Sequence, residues 1–259
     1  SSPSQKSQGG ASRTDPLHKD FKHWLPEEIG QLESYIAPLE QRLKRKLIRH
    51  WRKSHLAKRI DLPKSMRQGM STSGEIIKLS MKKRSDILPR IYVLVDVSKS
   101  MESHAPFFLR IARAFCLILH ARVFVFHTRL AEITPLLKNN SGRVQEKINA
   151  VTFGFGGGTK IAANLETFLK VYAKRALGRK DIVYILSDGY DTDAPEQTRD
   201  ALMALRNRGA TIYWLHPTVA IPQSAAIDLS REYIHAFMSV DNLNSLEKLA
   251  DLGRPQLFH

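Results

Sequence analysis

From Ile91 onward the hydrophobic and polar positions follow two alternating rhythms. Short unbroken apolar runs, Ile91-Tyr-Val-Leu-Val95, 122–127, Ile182-Val-Tyr-Ile-Leu186 with Ser187 as its end, and 211–215, have the length and β-branched content of buried strands. Between them, stretches with apolar residues three and four apart predict helices at 105–120, 142–151, 160–173 and 195–208. In the third of these, Leu165, Phe168, Leu169 and Tyr172 share one face. The run at 122–127 and a second at 130–134 read as a strand pair. A short strand at 234–238 and a helix at 242–251 follow. Asp193-Ala-Pro-Glu196 has the form of a capping box with proline near the first helical position. Gly209 is placed to end that helix. The alternation predicts an α/β, doubly wound, mainly parallel sheet flanked by helices over residues 88–259.

The pattern before residue 88 is different. Residues 1–15 are rich in Ser, Gln and Gly without a period, and residues 1–25 are expected to be a disordered or flexible lead. Pro26-Glu-Glu opens a helix with acid in its first turn, as the helix dipole favours. Ile29, Leu32, Ile36, Leu39, Leu43 and Leu47 continue it as an amphipathic stripe. Pro38 interrupts the stripe, because proline removes a helix hydrogen bond. One helix is therefore expected before Pro38 and a longer one from there to about Lys58. Glu75-Ile-Ile-Lys-Leu-Ser-Met-Lys-Lys-Arg84 reads as an extended segment outside the main sheet. Residues 26–87 thus form a basic helical arm with an extended segment.

Charge sharpens this division. The 259-residue chain carries a formal net charge of +15. Residues 1–90 hold 20 Lys or Arg against 9 Asp or Glu, and the remainder holds 20 against 16. The positive charge is mainly a property of the arm, and it points to an acidic partner or surface. Between Gln41 and Ile60 there are nine basic residues and no acidic one. Arg45, Lys46, Arg49 and Arg52 are the candidate partner-binding residues there. Several readings of this stretch stay open. One is nucleic acid, through phosphate neutralisation and counterion release. The others are an anionic membrane surface, a helix packed by Leu39, Leu43, Leu47 and Trp51, and docking onto an acidic protein. Packing combined with protein docking is favoured, since no nucleic-acid-binding module accompanies the charge.

The hydrophobic share of 42% supports a substantial core. The single cysteine, Cys116, excludes an intrachain disulfide framework and a cysteine-built zinc site. It lies in an apolar helical run and reads as a buried small hydrophobe. No apolar run approaches the roughly 18 residues of a membrane-spanning helix. The N-terminus is polar, so the expected location is cytoplasmic.

Three separated segments carry the candidate chemistry: Asp96-Val-Ser98-Lys-Ser100, Gly154-Phe-Gly-Gly-Gly-Thr159 and Ser187-Asp188-Gly189. The first and third follow apolar runs, at the strand ends where open α/β sheets bind ligands. Hydroxyls and carboxylates, without thiols or paired histidines, suit a hard divalent cation such as Mg²⁺. Singly, each segment reads as a helix cap, a loop or a turn. Together, and in this order, they read as one cation site. Asp191 and Asp193 lie close behind and can extend the site or bind a second ion, while helix capping and solvation are favoured for Asp193. His104, His120, His127, His216 and His235 show no metal-ligand spacing.

The pattern D-x-S-x-S with a distant Thr and a distant Asp resembles the metal-ion-dependent adhesion site of von Willebrand factor A (VWA) domains, which have a Rossmann-like fold. The resemblance covers roughly residues 88–253. Three further strings look like the CoxE group: Arg59-Ile-Asp-Leu-Pro-Lys-Ser-Met-Arg67, Val123-Phe-Val-Phe-His-Thr-Arg-Leu130 and Trp214-Leu-His-Pro217. The resemblance implies Ser98 and Ser100 as direct ligands of Mg²⁺, or of Mn²⁺ in its place. It implies Thr159 as a direct or water-mediated ligand, and Asp96 and Asp188 as acids acting largely through bound waters. An open coordination position would then take a carboxylate from a partner. It further implies a non-catalytic adaptor working beside a MoxR-type AAA+ ATPase on an acidic protein client, in metalloenzyme maturation or protein remodelling. Lys99 departs from the small residue common between the two serines.

Enzyme readings fit the residues less well. Thr159 precedes Lys160, which is the wrong order for a Walker A loop. A haloacid-type phosphatase needs a second carboxylate where Ser98 stands. Ser98 and Ser100 are not framed as a nucleophile elbow. No catalysis by this chain is expected. The alternatives carried forward are a nucleic-acid-associated VWA protein and a divalent-dependent phosphoester hydrolase.

Overall fold

The computed structural model describes residues 90–138, 158–178, 181–218 and 221–242 apart from 103, 175 and 176, with Ser245 and scattered positions before residue 90. Among the early positions, Pro38, Gln41, Arg42 and Arg45 are helical. β1 (Arg59–Ile60) pairs antiparallel with β2 (Met81–Lys82) as a separate two-stranded sheet. The expected extended segment around residue 80 is therefore a strand, and it stands outside the main sheet. The expected helices 142–151 and 242–251, Gly154 to Gly157, Trp51 and most of the basic stretch lie outside the described residues.

The main sheet has six strands in the order β5-β4-β3-β6-β7-β8. They are β3 (Ile91–Asp96), β4 (Arg122–Phe126), β5 (Leu130–Glu132), β6 (Ile182–Leu186), β7 (Thr211–His216) and β8 (Ala236–Ser239). All pairings are parallel except that of the edge strand β5 with β4. The unbroken apolar runs are explained by burial on both faces. Val93 and Val95 pack with helix α1 (Ala105–Leu119), while Tyr92 and Leu94 pack on the other side with α3 (Ile161–Thr167) and α4 (Pro195–Asn207). Every residue of β3 is buried. Such a strand presents only its C-terminal end to a ligand.

Two short helices escaped the sequence reading. Thr134, expected to end a strand, opens α2 (Thr134–Lys138). Its hydroxyl accepts from the Val123 amide at 2.9 Å, so the residue turns the chain at the sheet edge rather than extending it. α5 (Ala225–Ser230) is capped by Ser224, whose Oγ accepts from the Ile227 amide. Both have too few turns to show an amphipathic period. Helix α3 runs on into a π-helical turn, Phe168–Tyr172. Gly209, with φ +92°, ends α4 as expected. Among the described residues no helix is long and apolar enough to cross a membrane.

Candidate metal centre

The adjacent parallel strands β3 and β6 deliver the first and third segments to the same edge of the sheet. β3 ends at Asp96, which has no exposed surface. Asp96 Oδ1 accepts from the Ser98 amide at 2.9 Å, and Oδ2 accepts from the Ser187 hydroxyl at 2.7 Å. Both donors are neutral. Burial therefore dominates, and with help from the nearby Asp188 charge it pushes the Asp96 carboxyl from the ordinary 3.8 up to about 6. Ser187 is itself fixed: its hydroxyl accepts from the Gly189 amide at 3.0 Å, and its carbonyl accepts from Trp214 Nε1 at 3.0 Å.

Past Asp96 the chain turns in a short 3₁₀ segment, Lys99–Met101. This turn sets the Ser98 and Ser100 hydroxyl oxygens 3.0 Å apart. Ligands about 2.1 Å from Mg²⁺ at right angles are separated by about 3.0 Å. The serine pair therefore matches one edge of such an octahedron. Ser98 is buried and Ser100 is exposed, so the pair spans from the interior to the rim. Asp188 is buried, and its Oδ1 accepts from the Tyr190 amide at 3.2 Å. The donor set and the buried carboxylates suit a hard cation. Among the described residues no three of His, Cys, Asp and Glu cluster as a metal site, so any site here depends on the hydroxyls.

Thr159 is held from two sides. Its carbonyl accepts from the Thr192 amide at 2.8 Å and from the Thr192 hydroxyl at 2.7 Å, four residues past Asp188. The next residue, Lys160, donates its amide to the His127 carbonyl just beyond β4. Asn164 Nδ2 bridges the His127 and Lys160 carbonyls at 2.8 and 2.6 Å. The structure thus brings Asp96, Ser98, Ser100 and Asp188 together and ties Thr159 to the Asp188 loop. Arg45 is exposed, with its Nε donating to the Gln41 carbonyl. Lys46, Arg49 and Arg52 lie outside the described residues.

The acids behind Asp188 have a different task from the expected capping box. Helix α4 is preceded by Ala194 and has no side-chain cap. Asp193 Oδ2 instead accepts from the Ala163 amide at 3.1 Å, and Asp191 Oδ1 accepts from the Ile161 amide at 3.0 Å. Asp191 Oδ2 also takes a short hydrogen bond from the Thr198 hydroxyl. The third loop therefore caps the helix that follows the second loop. The N-terminus of α3, which a reading of helix dipoles would offer to an incoming anion, has these amides occupied. Ser187, Asp191 and Thr192 are the positioning residues that the sequence reading left without this role. Ser187 and Asp191 stood within three residues of Asp188, but nothing in the sequence pairs them with Asp96 or Ile161. His216 is buried at the end of β7; burial lowers its pKa, partly offset by Asp188.

A Cβ added to Gly158 would come within 2.0 Å of Thr192 Cγ2. Gly158→Ala must displace the side chain whose hydroxyl bonds the Thr159 carbonyl. We expect a loss of about 1–2 kcal/mol in chemical denaturation. An unchanged midpoint and slope would show that Thr192 yields without cost.

An open six-stranded sheet carrying D-x-S-x-S, Thr and Asp at its C-terminal edge has the architecture of a VWA domain. The family model described as VWA domain containing CoxE-like protein matches residues 32–252, and the chain belongs to that family. Similar solved structures include an aerotolerance-related membrane protein from Bacteroides fragilis, 16% identical with a TM-score of 0.44, covering 64% of this chain and 98% of that one. BatB from Bacteroides thetaiotaomicron is 14% identical with a TM-score of 0.44, covering 64% and 96%. Proximal thread matrix protein 1 from the mussel byssus is 16% identical with a TM-score of 0.43, covering 64% of this chain. The chain spans only 47% of the mussel protein's length. No curated protein matches this chain.

Proposed function

We propose that this chain is a non-catalytic adaptor that grips an acidic residue of a protein partner through a Mg²⁺ ion, with Mn²⁺ as a substitute. Ser98 and Ser100 would hold the ion directly, Thr159 directly or through water, and Asp96 and Asp188 largely through water. The observation that carries this reading is the serine pair, 3.0 Å apart, above a buried carboxylate bonded to neutral donors. A bound ion would supply the positive charge that offsets burial of Asp96 and Asp188 and would attract a partner carboxylate. The protein's own part is to keep the hydroxyls and acids in register. Family membership supports a MoxR-type AAA+ ATPase as a working partner, in metalloenzyme maturation or protein remodelling.

The test is a calorimetric titration of Mg²⁺ into metal-stripped protein, for wild type and Ser98→Ala. Removal of one directly coordinating hydroxyl should weaken binding about ten-fold, or roughly 1.4 kcal/mol. Acetate should tighten Mg²⁺ binding to the wild type, because it fills the open position. Equal Mg²⁺ affinity in the two proteins would reject the assignment of Ser98.

A further inference from the structure

We infer that Trp214 and Pro217 are positioning residues of the metal centre. The Trp214 indole replaces a rung of the sheet that Pro217 cannot make, and so holds the peptide that leads into Asp188. The inference rests on the Mg²⁺ reading above and adds how β7 keeps that centre in register. It gives a physical task to the string Trp214-Leu-His-Pro217, which the five metal-site residues leave unused.

The missing rung follows from the register of β6 and β7. At the start of the pair the Thr211 amide donates to the Asp181 carbonyl at 2.9 Å. At its end the Ser187 amide donates to the Leu215 carbonyl at 3.2 Å. In an evenly spaced parallel ladder the next bond runs from the amide of residue 217 to the Ser187 carbonyl. Residue 217 is proline and has no N–H. Ser187 has no exposed surface, so water does not reach the carbonyl, and a buried carbonyl without a donor is destabilising. Trp214 Nε1 donates to it instead at 3.0 Å. The following amide, that of Thr218, is taken by His216 Nδ1 at 3.0 Å. Two side chains of β7 thus close a ladder that the proline cuts. The cut also lets the chain leave the sheet. It meets the third loop again at Ser224, whose Oγ donates to the Gly189 carbonyl at 2.8 Å.

The held peptide matters to the ion because of what Ser187 joins. Its hydroxyl donates to Asp96 Oδ2 at 2.7 Å, and its carbonyl belongs to the peptide unit that leads into Asp188. Ser187 thereby orients the first acid and places the second. Without the indole bond that peptide unit would turn toward another donor, and both acids would move with it. Partners of metal ligands act on affinity in this way, by fixing the orientation of groups they do not replace.

The test uses the full chain, with calorimetric titration of Mg²⁺ into metal-stripped protein and amide hydrogen exchange in EDTA. Trp214→Phe should weaken Mg²⁺ binding about five-fold, less than the loss of a direct partner of a ligand, because it acts through Ser187. Replacing Trp214 by β-(3-benzothienyl)alanine keeps the two-ring shape and removes only the N–H. It should weaken binding equally, which separates the hydrogen bond from packing. Adding Pro217→Ala to either variant restores an N–H opposite the Ser187 carbonyl. Most of the lost Mg²⁺ affinity should return, although the indole N–H is still missing. The new amide at position 217 should be protected from exchange in EDTA, a readout that needs no metal. Wild-type affinity in the benzothienyl variant, no recovery on adding Pro217→Ala, or an unprotected amide at 217 overturns the inference alone. A wild type that binds no Mg²⁺, or binds it no better than Ser98→Ala does, overturns the metal reading and the inference with it.

Discussion

Asp96→Asn should make the metal-stripped protein more stable at pH 7, not less. The Asp96 carboxyl is raised to about 6 in the fold, above its ordinary 3.8, chiefly by burial. The folded state thus holds this proton more tightly than the unfolded chain does. Stability from this group is greatest below about pH 4 and is lost as the pH rises to about 6. Above that the penalty is complete, on the order of 3 kcal/mol at about 1.4 kcal/mol per pKa unit. Asparagine avoids the penalty and can still accept from the Ser98 amide while donating to Ser187. The expected result in EDTA at pH 7 is a gain of about 1–3 kcal/mol, seen as a higher Tm. The gain should shrink on acidification and close near pH 4. With saturating Mg²⁺ the wild type should rise in Tm and Asp96→Asn should not, because the ion stabilises only the fold that binds it. A metal-stripped variant that melts below wild type at pH 7 would show that the two hydrogen bonds, rather than burial, govern this position.

This balance also explains which parts of the molecule were legible in the chain. Residues 91–95 and 182–186 are apolar without interruption because both faces of the central strands are covered. Their polar ends, Asp96 and Ser187-Asp188, therefore stood out. A parallel pairing of those strands is enough to bring the acids together, and the structure has it. The order of the six strands had no such mark, since each apolar run resembles the others. The helices at 134–138 and 225–230 are about one turn and a half long, too short for a stripe to declare itself. The roles of Asp191 and Asp193 were illegible for a different reason. Asp193-Ala-Pro-Glu196 satisfies the local rule for capping the helix that follows. A more distant helix, with open amides at Ile161 and Ala163, took the acids instead. Local chemistry named the residue type and tertiary contact chose the recipient.

Asp191→Ala should consequently do more damage than its half-buried position suggests. Asp191 Oδ1 accepts from both the Ile161 and Asp193 amides at 3.0 Å, while Oδ2 accepts from Thr198, which is fully buried. Alanine would leave these donors without their acceptor, and hydrogen bonds to a charged group contribute about 1.5–3 kcal/mol each before relaxation and rehydration. We expect a loss of about 2–4 kcal/mol in chemical denaturation. Asp193→Ala should cost nearer 1 kcal/mol, since its bond to Ala163 is exposed and resembles an ordinary cap. Asp191→Asn should fall between them, keeping an acceptor for the amides and turning its amide group toward Thr198. The damage should also reach the proposed Mg²⁺ site. Ile161 lies two residues beyond Thr159, and Thr192, which holds the Thr159 carbonyl, is the neighbour of Asp191. Loosening this clasp removes the register between the second and third loops. Mg²⁺ affinity should then fall in Asp191→Ala although Asp191 is not a ligand, and it should fall less in Asp191→Asn. If Asp191→Ala were destabilised yet bound Mg²⁺ as wild type does, the Thr192 bonds to the Thr159 carbonyl and the Lys160 contacts would hold Thr159 without help from Asp191. If its stability were unchanged, the cross-loop clasp would have no energetic weight.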